Sequence, residues 1–66
     1  MVRLRLRTDI YSLENILKAA EAYKDLAKIK VSGKKEVTKI VFRNCKYGEE
    51  RTVREFENYL IGLENS

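Results

Sequence analysis

Val2-Arg3-Leu4-Arg5-Leu6-Arg7 alternates without a break, apolar on one face and arginine on the other. Side chains of an extended chain point to opposite faces with a period of two, so this stretch reads as a half-buried strand. The pattern returns at residues 27–32, where Ala27, Ile29 and Val31 alternate with Lys28 and Lys30. A third extended stretch covers residues 36–44, with Ile40 and Phe42 turned inward. Val37 is out of phase with Ile40. A bulge near Thr38 is the expected repair, because one extra residue flips the register. Gly33-Lys34 supplies the turn between the second and third strands, since glycine tolerates positive φ.

Two helical stretches separate and follow the strands. Ser12 is placed to accept from free N–H groups of a first turn, and Tyr11 and Ile16 are spaced as a hydrophobic staple. Leu13, Ile16, Leu17, Ala20 and Tyr23 recur at helical spacing and predict an inward stripe. Glu14 and Lys18 form an i,i+4 pair on the wet side. After a Tyr47-Gly48 turn, Thr52-Val53-Arg54-Glu55 reads as a capping box opening the last helix. Val53, Phe56, Tyr59, Leu60 and Leu63 make its inner stripe, and Ile61 lies off it.

The order is therefore β-α-β-β-α, one α+β domain over residues 1–66. A right-handed crossover makes the first two strands parallel. The third is expected between them and antiparallel to both, giving what reads as a three-stranded mixed sheet in order 1-3-2 with both helices on one face. That is a two-layer sandwich, a truncated ferredoxin-like arrangement lacking its fourth strand. The missing strand leaves an open edge.

The stretch Tyr11-Ser-Leu-Glu-Asn-Ile-Leu-Lys-Ala-Ala-Glu-Ala-Tyr23, running through Asp25 into Ala27-Lys-Ile-Lys-Val31, resembles the opening of HxsD-like small proteins. Glu55-Phe-Glu-Asn-Tyr-Leu60 is similar to their closing helix. Members of that family occur beside radical-SAM enzymes in peptide-modification systems. The resemblance implies an accessory or interaction protein and assigns no catalytic residue. The chain holds no His-Xaa-Ser repeat, so it does not read as the modified substrate of such a system.

Composition excludes much chemistry. There is no His, and Cys45 is the one soft nucleophile, with no imidazole to activate it. It reads as a half-buried structural thiol. Structural zinc takes four Cys or His ligands, and the chain has one. Glu49-Glu50 has no supporting oxygens for a hard cation. The glycines form no phosphate loop. The expectation is a non-enzyme with no metal and no cofactor. The N-terminal stretch does not read as a signal peptide, no apolar run is long enough to span a bilayer, and a lone thiol fits a reducing compartment. A cytoplasmic protein with no membrane association is expected.

Charge carries the functional expectation. Residues 1–48 hold twelve Lys/Arg against five Asp/Glu, and residues 49–66 hold two against five, so +7 and −3 give the net +4. The strand phases put Arg3, Arg5, Arg7, Lys28, Lys30, Lys39 and Arg43 on the outer face of the sheet, with no acid among them. Ordinary solvent faces mix the two signs, so this face is the candidate site for an anion or a partner. A protein or acidic-peptide partner is the first reading. The alternative is nucleic acid, bound with little sequence preference because the face offers no aromatic on which bases could stack. A thin core and the exposed Ile61 add an expected weak homodimer, through a strand edge or the last helix.

Overall fold

The computed structural model describes residues 1–33 and 35–66. Its elements are β1 (Val2–Arg7), α1 (Leu13–Ala22), β2 (Lys28–Gly33), β3 (Val37–Arg43) and α2 (Glu49–Glu64). Lys34, half of the expected Gly33-Lys34 turn, lies outside the described residues.

Every strand pairing runs through β3, in the order β1-β3-β2. Both ladders are antiparallel. The expected mixed sheet is thus an antiparallel one: β1 and β2 run the same way, but β3 separates them and they do not pair. The ladder from Val2↔Phe42 to Arg7↔Val37 is continuous, and so is that from Lys28↔Arg43 to Gly33↔Thr38. The bulge expected near Thr38 is therefore absent. A bulge in a central strand would break hydrogen bonds on both sides. Instead Thr38 turns inward and is fully buried, while Val37 faces out across from Arg7.

Leu6, Ile40 and Phe42 of the sheet join Ile16 and Ala19 of α1 and Phe56 and Leu60 of α2 in one buried cluster. Phe56 stands edge-on to both Phe42 and Tyr23, with ring centroids 5.1 and 5.9 Å apart. Such pairs add about 0.5–1.5 kcal/mol beyond the area they bury. The Tyr23 hydroxyl donates to the Glu55 carbonyl at 3.1 Å, tying α1 to α2.

Helix α1 opens as its sequence suggests: the Asn15 N–H donates to the Ser12 hydroxyl oxygen at 3.2 Å. It is rotated from the expected phase, however. Ala19 is fully buried, whereas Leu13 and Leu17 are 46% and 51% exposed. The small Ala19 lets the helix come down beside Ile16, which moves the two leucines to its flank.

Helix α2 starts one turn before the expected cap. Gly48 is its N-cap residue, at φ 92°, and Glu49 and Glu50 place carboxylates in the first turn, where the helix dipole favours them. Thr52 lies inside the helix, buried, and its hydroxyl donates back to the Gly48 carbonyl at 2.7 Å. Glu55 accepts from Arg51 at 3.4 Å instead of closing a capping box. The far end of α2 reaches the start of α1. The Ser12 N–H donates to the Glu64 carboxylate at 2.8 Å, across 52 positions of sequence. Hydrogen bonds from the Asn15 side chain, and then from the Ser12 backbone, hold the Glu64 carboxyl below its usual range. Among the described residues, no helix is long and apolar enough to cross a membrane.

Candidate functional site

The continuous register assigns each outward side chain to a row across the sheet. Lys28 and Arg43 form one row, and Lys30, Val41 and Arg3 the next. Ser32, Lys39 and Arg5 follow, and Val37 with Arg7 closes the face. Strands lie about 4.8 Å apart, and same-face residues about 7 Å apart along each strand. All seven expected cations lie on this face, opposite the buried cluster. Val41 and, in this unbulged register, Val37 are its large apolar residues.

The cations differ in what balances them. Arg7 is held by Asp9, with two hydrogen bonds of 2.6 and 3.1 Å. Arg3, Arg5, Lys28, Lys30, Lys39 and Arg43 have no acidic partner within ion-pair distance among the described residues. Arg5 sits directly across from Lys39, and Lys28 across from Arg43. Like charges placed so are destabilising. Among the described residues the other Lys and Arg ion pairs lie away from the sheet, Lys18, Arg51 and Arg54 on the helices and Lys24 in the turn after α1, each facing a carboxylate three or four residues away.

Val41 is the half-buried centre of the face. One depression of about 270 Å³ lies between it and Arg3, Arg5, Ser32 and Lys39. A second, of about 220 Å³, lies between it and Lys28, Lys30 and Arg43. Both are shallow recesses between extended side chains. Their walls offer N–H donors, positive charge and the Ser32 hydroxyl, with no carboxylate among the described residues. This arrangement can hold anionic oxygens.

The remaining candidates are dispersed. Cys45 is half-buried against the core cluster, and the next residue is anchored by its N–H to the Leu26 carbonyl at 2.9 Å. Glu50 is paired to Arg54 at 3.4 Å. Among the described residues, no three Cys, Asp or Glu side chains gather as metal ligands would. Ile61 is 43% exposed on α2. The sequence reading missed the flank of α1, where Leu13 stands against Gly33 of β2 and Leu17, one turn on, is half exposed. Helical periodicity marked both as apolar but could not fix the rotation of the helix. Comparison with protein-family models, with curated proteins and with solved structures finds no match.

Proposed function

We propose that the chain is a non-enzymatic accessory module that docks an acidic protein or peptide on the outer face of its sheet. In this reading it is a ferredoxin-like unit short of its fourth strand, with both helices covering the opposite face, and it works in the cytoplasm. One observation carries the proposal: six cations share the outer face with no acidic partner among the described residues. Two like-charged pairs directly across strands cost stability, and an anionic partner relieves that cost. The resemblance to HxsD-like proteins supports the accessory role and suggests a radical-SAM enzyme of a peptide-modification system as the larger partner.

The test is fluorescence anisotropy with a labelled oligo-glutamate peptide and with the Arg3→Glu/Arg5→Glu variant. Binding at about 50 mM salt, where electrostatic association is favoured, and its loss in the variant are expected. No binding by the unaltered protein removes the proposal.

The regular spacing of Arg3 and Arg5 along β1, with Lys39 beside them, favours a second reading. Such a row could follow a nucleic-acid backbone without reading bases. Six unpaired cations limit the salt slope of log affinity to about −5 on a duplex. A slope near zero, or no binding to any oligonucleotide, removes this alternative.

A further inference from the structure

We infer that the partner adds a strand to the open edge of β2, and that this strand alternates acidic and apolar residues. The inference rests on the docking reading above and names the segment that fits it. Strands β1 and β2 both end the sheet. On each edge strand, alternate residues turn their N–H and C=O groups away from β3, a template for another strand. What overhangs each edge differs.

Beside β1, the recess next to Val2 is lined by Glu49, Glu50 and Glu57 of α2 against a single cation, Arg54, with Val53 between them, so its wall is net negative. An acidic strand placed there meets carboxylates on the helix side. Beside β2, the overhang is apolar. The Leu13 methyls lie 3.7 and 3.8 Å from where a Cβ would stand on Gly33, so Leu13 covers the end of β2 on its inward side. Leu17 follows one turn later, and both are about half exposed. The opposite flank of α1 is the one taken by α2, through Ser12 with Glu64 and Tyr23 with Glu55. Lys28 and Lys30 line the outward side of the same edge.

A strand laid along the six residues of β2 sends successive side chains to opposite faces. One set comes beside Lys28 and Lys30 and is best acidic. The other comes under Leu13 and Leu17 and is best apolar. A second copy of this chain does not fit. Pairing β2 with β2 sets the lysines of the two copies beside one another, and pairing β2 with β1 sets lysines beside Arg3 and Arg5, both repulsive. Charge complementarity therefore assigns the edge to a different protein.

The probe is a labelled, end-blocked hexapeptide of alternating Glu and Val. The control has the same residues in two blocks. Anisotropy is expected to favour the alternating peptide by about tenfold, and Leu17→Asp to weaken it by about the same factor. Lys30→Glu should lose the Glu/Val peptide and gain an alternating Lys/Val one. Hydrogen exchange of alternate amides in Lys28–Gly33 should slow when the peptide binds.

Equal binding of both Glu/Val peptides, with Leu17→Asp silent and β2 exchange unchanged, overturns the edge inference while docking on the sheet face stands. Failure of every acidic peptide overturns both. Amides of β2 that slow with protein concentration alone also overturn it, because a second copy then occupies the edge.

Discussion

Thr38→Val should stabilise this protein, which is unusual for a core substitution. Thr38 is fully buried, and its hydroxyl oxygen finds no hydrogen-bond partner among the described residues. Its neighbours in register are Leu6 on one side and Gly33 on the other, with Leu13 methyls filling the space above Gly33. These surroundings are apolar. A hydroxyl buried without a partner costs about 1–3 kcal/mol on mutational scales. Valine has the same shape and the same branching at Cβ, so no cavity opens and no rotamer is strained. The expected gain is about 1–2 kcal/mol. At about 2.1 cal/mol/K of unfolding entropy per residue, 66 residues convert 1 kcal/mol into about 7 °C. The melting temperature should therefore rise by roughly 7–14 °C. Calorimetry and urea titration are the assays, the latter with an unchanged m value, and Thr38→Ser serves as control. Serine keeps the hydroxyl and loses the methyl, so it should be less stable than threonine. A lower melting temperature for Thr38→Val would refute the reasoning, because the hydroxyl must then have a partner.

Three further outcomes are expected. Glu64→Gln should lower the urea midpoint at neutral pH, where the carboxylate receives the Ser12 and Asn15 hydrogen bonds. The folded pKa is lowered, so this contribution is present above the ordinary value of 4.5. It fades as pH falls through the lowered folded value, and urea titrations from pH 7 to 3 should show the two proteins converging. Gly48→Ala should cost about 1–3 kcal/mol by urea titration, because φ 92° and ψ 149° suit glycine; a Cβ there meets nothing within 4 Å, so a neutral result would mean that the turn relaxes. We expect a weak dimer through α2, with Ile61→Lys shifting sedimentation to the monomer; a dimer indifferent to that change moves the interface elsewhere.

The outer face was legible because β1 and β2 alternate between extremes, arginine or lysine against leucine, isoleucine or valine. Parity then follows from the pleat alone. Strand β3 was harder. Val37 and Thr38 are both β-branched, and hydropathy favours burying the valine. Two ladders that must stay continuous decide otherwise, and no local pattern records that. The stem of Arg7, directly across, can shield Val37 from water. Thr52 and Glu55 have capping-box spacing, but the same pair also fits the interior of a helix. Gly48 followed by Glu49 and Glu50 was the better start signal, joining a positive-φ residue to carboxylates at a helix N-terminus. The link from Ser12 to Glu64 has no local signature, since its ends meet only after the helices pack. That packing also turned Leu13 and Leu17 to the flank.

The central strand of the sheet is also the last strand in the chain. Strands β2 and β3 are near neighbours in sequence and can close as a hairpin early. Strand β1 has to wait for β3, roughly thirty residues further on, and that loop closes at an entropic cost. Until then Val2, Leu4 and Leu6 form an apolar ribbon with no sheet to join. Left bare, such a ribbon pairs with its like on a neighbouring unfolded chain. Arg3, Arg5 and Arg7 stand at every second position of it and act as gatekeepers. The charge that marks the folded surface thus guards the nascent chain against aggregation before any surface exists.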